Sequence, residues 1–169
     1  GAGVRLATLE GKSAMTRRDR LIREREHDVY RTSKKLPDPS ACTECRAMYR
    51  DGRWQWGHPP TDANPVLCPA CQRVRDRMPA GVVQLVGSFH LEHREEIEGL
   101  VRHVEKREVE NHPLKRIMNV TEQDDTLTIE TADADLARAI GDAVHRAYQG
   151  ELDYHYPGEG DLLRVRWER

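Results

Sequence analysis

The sequence predicts an α+β protein in two parts, a small cysteine-held ribbon followed by a split βαβ sandwich with a terminal β-hairpin. Three observations predict it. Two Cys-x2-Cys pairs, Cys42/Cys45 and Cys68/Cys71, bracket 22 residues that contain an Asp51-Gly52 turn signal. Beyond Met78-Pro79-Ala80-Gly81, apolar spacing switches between period two and period 3.6, in the order strand, helix, strand, strand, helix, strand, strand. Hydrophobic residues make up only 37% and charged residues 33%, a stock too lean for one large core.

Residues 1–39 read as a charged arm, largely extended or helical. Gly1–Ala14 shows no periodicity, and Met15 opens the far more decided run MTRRDRLIRERE, so 1–14 is expected to be a cloning remnant. Between 15 and 35 the apolar content is little more than Leu21, Ile22, Val29 and Tyr30, too little for a core of its own. Pro37 and Pro39 then break any helix.

Residues 40–80 read as the ribbon. Two residues between cysteines let both sulfurs of a knuckle face one tetrahedral ion, and two knuckles complete four ligands. All four cysteines are used. Paired disulfides or redox-active CxxC pairs are the competing reading; a chain this polar, expected in the cytoplasm, disfavours disulfides. One structural zinc, held by Cys42, Cys45, Cys68 and Cys71, is therefore expected. Four thiolates leave no open position for water, so hydrolysis at the metal is not expected. His58, between the knuckles, reads as a loop residue. A two-residue Asp51-Gly52 turn puts Tyr49 opposite Trp54 and gathers Tyr49, Trp54 and Trp56 on one face of the hairpin. Such a face either stacks on single-stranded bases or covers the ribbon's small core. Arg46 or Arg73 is expected to offset the charge of the metal thiolates.

Residues 81–169 read as the sandwich. Val82–Val86 is a nearly all-apolar strand; Ile97, Leu100, Val101 and Val104 follow at helical spacing inside a run from His90 to about Asn111, and Pro113 stops that helix. Ile117–Thr121 and Thr126–Thr131 form a hairpin across Gln123-Asp124-Asp125. Leu136, Ala137, Ile140, Val144 and Tyr148 mark a second helix, with Thr131 or Asp133 to cap it and Gly150 past its end. Leu152, Tyr154 and Tyr156 alternate, 157–160 turns, and Leu163, Val165 and Trp167 alternate again. This order is that of a ferredoxin-like sandwich with a terminal hairpin.

The charge is unevenly divided. Residues 1–80 carry 16 Lys/Arg against 10 Asp/Glu, and 81–169 carry 11 against 19. An anionic partner for the front half follows, with Arg17, Arg18, Arg20, Arg23, Arg50, Arg53, Arg75 and Arg77 as phosphate contacts and Trp54 as a stacking ring. The third strand of the sandwich, Thr126-Leu127-Thr128-Ile129, lacks the aromatics of an RNA-recognition motif. His90, His93, His103 and His112 lie among glutamates with no cysteine near and read as a solvated face. No GxGxxG, Walker A, nucleophile elbow or HExxH occurs, no membrane-length apolar run occurs, and no enzyme is expected.

CTECRAMYRDGRWQW, CPACQRVRDRMPAG, ENHPLKRIM and HRAYQGELDYHYPGEGDLLRVRWER together resemble small bacterial zinc-ribbon proteins labelled NMD-type, affecting ribosome stability and mRNA decay. Through that label the chain is distantly similar to the archaeal and eukaryotic export adaptor of the large ribosomal subunit. It departs from the adaptor in having two CxxC pairs rather than a longer array, and in lacking its length and transport signals. The resemblance implies ribosome contact through the zinc-held ribbon and its basic neighbours, and does not carry export. The expected function is thus a zinc-stabilised ribosome- or rRNA-binding factor in ribosome stability, translation control or hibernation. Its acidic sandwich would face ribosomal proteins, with no membrane and no small-molecule substrate. The alternative is a zinc- or redox-responsive protein–protein adaptor without nucleic acid.

Overall fold

Alternation and turn chemistry build two sheets, and the computed structural model describes them over residues 36–156 and 162–169. The arm with Arg17, Arg18, Arg20 and Arg23, and the turn expected at 157–160, lie outside the described residues.

The first sheet contains β1 (Ser40–Cys42), β2 (Met48–Arg50), β3 (Arg53–Gln55) and β4 (Asn64–Val66), in the order β3-β2-β1-β4. The hairpin turn forms as its residues dictate. Asp51 and Gly52 both take positive φ, 56° and 80°, which is the type I′ geometry, and Tyr49 pairs with Trp54. β4 returns parallel to β1 and brings the chain back beside the first knuckle. Helix α1 (Pro69–Asp76) follows at once, with Pro at its first turn and Cys68 as its N-cap.

The second sheet contains β5 (Gly81–Val86), β6 (Ile117–Gln123), β7 (Thr126–Thr131), β8 (Glu151–His155) and β9 (Leu163–Glu168). Helices α2 (Phe89–Glu92) and α3 (Arg94–Asn111) link β5 to β6, and α4 (Ala134–Tyr148) links β7 to β8. Asp133 caps α4, its Oδ2 accepting from the Leu136 amide at 3.0 Å. Strand order is β6-β7-β5-β9-β8, a mixed sheet with β9 parallel to β5 and every other neighbour antiparallel. The terminal hairpin therefore does not simply extend an edge. β8 takes the outer position and β9 folds back between β8 and β5.

Period two in β9 explains its place: Leu163, Val165 and Trp167 are buried while Arg164, Arg166 and Glu168 are exposed. With Val83, Leu85, Leu127 and Ile129 they form the sheet side of one core, and Ile97, Val101, Val104, Leu136, Ile140 and Val144 form the helix side. Gly141 lets α4 lie this close, since a Cβ there would stand 2.5 Å from Val165 Cγ1.

The helix read as continuous from His90 breaks at His93, whose φ of −121° and ψ of 34° separate α2 from α3. The break turns His90 inward, where its Nε2 lies 2.6 Å from the Asp125 carbonyl, and stacks His93 on Phe89 at 3.9 Å. No described helix is long and apolar enough to cross a membrane.

Candidate metal centre

Each cysteine pair is held by its own backbone. Cys42 closes β1, its amide donates to the Ala47 carbonyl at 2.8 Å, and Arg46 turns the loop with φ 70°. Cys42 Sγ accepts from the amides of Glu44 (3.4 Å), Cys45 (3.5 Å) and, across the site, Cys68 (3.3 Å). The second pair is set at the start of α1, where Cys68 Sγ accepts from the Cys71 amide at 3.4 Å. Amides aimed at sulfur and a helix N-terminus both favour the thiolate over the thiol.

The four Sγ atoms all lie within 4.8 Å of one another, and Cys45 and Cys68 stand 3.8 Å apart. A tetrahedral ion bonded to sulfur at about 2.3 Å places its ligands about 3.8 Å apart. The donor set thus fits one metal ion, and all four cysteines are free of disulfides. Among the described residues no other group of His, Cys, Asp and Glu could hold one; His58, His93, His103 and His112 join no such group.

The guanidinium on these sulfurs comes from the other half of the chain. Arg116, between α3 and β6, directs Nη2 at Cys68 Sγ (3.2 Å) and Cys45 Sγ (3.4 Å), and Nη1 at Cys71 Sγ (3.5 Å). Its Nε donates to the Pro113 carbonyl at 2.8 Å, which fixes the plane of the group. Burial opposes its charge, yet the hydrogen bond to Cys71 and the nearby sulfurs hold its pKa above the usual value. The hydrogen bond from Cys68 draws the Cys45 thiol down to about 4, while the same bond and burial push Cys68 up. Burial likewise raises Cys71.

The residues expected around the metal take different roles. Arg46 is exposed, and Arg73 is buried with Nη1 donating to the Met78 carbonyl at 2.9 Å. Trp54 is half-buried, packs against the cysteine cluster and meets Tyr49 at 5.5 Å between ring centroids. Trp56 donates its indole N–H to the Val109 carbonyl at 2.7 Å, satisfying an oxygen in the last turn of α3. Arg50 and Arg53 face each other at the hairpin tip, both exposed, and neither has an ion pair among the described residues. Arg75 is paired with Asp76 at 2.8 Å, and Arg77 caps α1 in the left-handed region at φ 55°. Of the expected phosphate contacts among the described residues, Arg50 and Arg53 are the pair the hairpin register sets opposite each other.

Arg116 lies inside ENHPLKRIM, a segment that stood out in the sequence without a role. Nothing local in it points at sulfur. Its partners are 45 to 71 residues away, so only the tertiary fold brings them together. Comparison with family models, with curated proteins and with solved structures found no match for this chain.

Proposed function

We propose that this protein is a zinc-stabilised factor that binds the ribosome through its RNA and acts in ribosome stability, translation control or hibernation. The metal in this reading is zinc, favoured by four soft sulfur donors at tetrahedral spacing. A closed four-thiolate site supports a structural role, and the protein is read as a cytoplasmic binding factor and not an enzyme. The sandwich is read as an elaborated ferredoxin-like unit whose acidic surface faces ribosomal proteins.

One observation carries the RNA reading: the exposed Arg50–Arg53 pair at the tip of the metal-held hairpin, on the basic side of a chain divided between 16 Lys/Arg against 10 Asp/Glu and 11 against 19. Arg17, Arg18, Arg20 and Arg23 would extend that grip along the backbone, with Arg75 and Arg77 beside it. Each phosphate contact removed should lower the slope of log affinity against log salt by roughly 0.7–0.9. The test is co-sedimentation with ribosomes at two salt concentrations. Changing Arg17, Arg18, Arg20 and Arg23 to Ala should weaken association sharply at low salt and less at high salt. Glu95, Glu96 and Glu98 changed to Gln should leave the slope nearly untouched.

A second reading, a zinc- or redox-responsive protein adaptor, is favoured by a different observation. Residues 36–80 carry 6 Lys/Arg against 5 Asp/Glu, so the ribbon itself is close to neutral, and Trp54 and Trp56 are already engaged within the protein. If the arm changes leave co-sedimentation intact while the helix changes abolish it, the adaptor stands and the RNA reading falls.

A further inference from the structure

The sulfurs are supported unequally. Cys42 takes three backbone amides from its own ribbon, whereas Cys45, Cys68 and Cys71 all face Arg116 from the α/β half. The backbone around Arg116 is tied on both sides. Its carbonyl accepts from the Ala132 amide at 2.9 Å, ahead of α4, and the next amide, Ile117, donates to Glu105 of α3 at 2.8 Å. Leu114, Met118 and Ala132 pack around it onto Cys42, Cys68 and Ala70. A four-thiolate ion carries two net negative charges, and a planar guanidinium reaches three sulfurs at once where an ammonium reaches fewer.

We propose that Arg116 is a positioning residue of the metal centre, acting as a clasp through which metal occupancy sets how firmly the ribbon is seated on the α/β half. The proposal rests on the reading of the cysteines as a metal site. With the ion bound, the guanidinium neutralises part of the thiolate charge and fixes the ribbon against the segment from Val109 to Met118. With the ion removed, nothing holds the three sulfurs at one spacing under the guanidinium, and the seam loosens while the sheet core stays closed.

The test uses the full chain, with zinc alone as the probe. Zinc affinity is measured by chelator competition and the seam by hydrogen exchange at residues 109–118 and at Ala132. Outer-shell partners of a metal commonly change affinity by 10–100-fold, so Arg116→Met should lose about that much. Arg116→Lys should recover part of it. Trp56→Phe, which breaks the bond to Val109 without touching sulfur, should loosen the seam and, through the coupling, weaken zinc binding far less than Arg116→Met does. Chelation of the wild-type protein should raise exchange at the seam and leave Val83 and Val165 protected. If Arg116→Met binds zinc within twofold of wild type, or chelation leaves the seam unchanged, the clasp is wrong. Should Arg116→Met fail to fold, Arg116→Lys and the chelated wild type still decide the matter. If the wild-type chain takes up no zinc, the metal reading itself falls, a result the first measurement separates from failure of the clasp alone.

Discussion

The ribbon and the α/β half are stabilised by different physics. Among the described residues fourteen buried side chains form the α/β core, from Val83 on the sheet to Val144 on α4 and Trp167 on β9. The buried members of the cluster around the cysteines are Cys42, Cys68, Ala70 and Ala132, and the last of these belongs to the other half. Burying aliphatic side chains contributes about 1.5–3 kcal/mol each, so the α/β half has an apolar drive that the ribbon lacks. In the proposed reading the ribbon substitutes coordination for burial, since structural zinc contributes roughly 10–16 kcal/mol of apparent binding energy in small peptides. On that reading a single chain combines a part that folds by excluding water with a part that would fold by closing on an ion.

Substitutions should separate the two. The largest effect is expected from Cys68→Ser or Cys45→Ser, which should abolish stoichiometric zinc and unfold residues 40–78. Elemental analysis with hydrogen exchange checks this, and full zinc in either variant would refute the assignment. Next is Ile140→Ala, which removes a fully buried side chain from α4. It should cost the α/β half about 2–5 kcal/mol in denaturant unfolding while leaving zinc content unchanged. A fall in zinc content there would show the halves to be one cooperative unit.

The smallest effect is graded. Cys68 and Cys71 hold their protons more tightly than ordinary thiols, so at neutral pH both must lose them to the metal. Zinc affinity should therefore fall as pH is lowered, by about 1.4 kcal/mol per pH unit for each proton displaced. Cys45, already drawn down to about 4, should add little to that release at neutral pH. Calorimetry in buffers of different ionisation heat counts the protons. A zinc affinity independent of pH would contradict the burial of those thiols.

Much of this arrangement was legible in the chain because the signals are local. Asp51-Gly52 specifies its turn by backbone conformation alone, and the strand and helix order follows from spacing. The two cysteine pairs come together as their spacing implies. What was not legible depends on distant encounters. Alternation in Leu163, Val165 and Trp167 says that β9 has a buried face, but not that it slots parallel to β5 inside its own hairpin. The break at His93 and the His90–Asp125 contact that accompanies it bring together residues 35 apart, which helical propensity cannot register. Arg116 is one basic residue among 27 until the ribbon lies on it.

The central place of β9 has a consequence for how the molecule is made. Leu163 lies opposite Gly81, so the middle of the sheet closes only when segments roughly 80 residues apart meet. During synthesis β5, β6 and β7 can pair early, but the flank of β5 that β9 will occupy stays open until β9 emerges. A nascent chain halted before Leu163 would carry an unpaired central edge and an unsatisfied apolar stripe, not merely a shortened rim. Maturation of the α/β half is in this sense deferred until β9 has been made, and until then its exposed edge is a template for aberrant strand pairing.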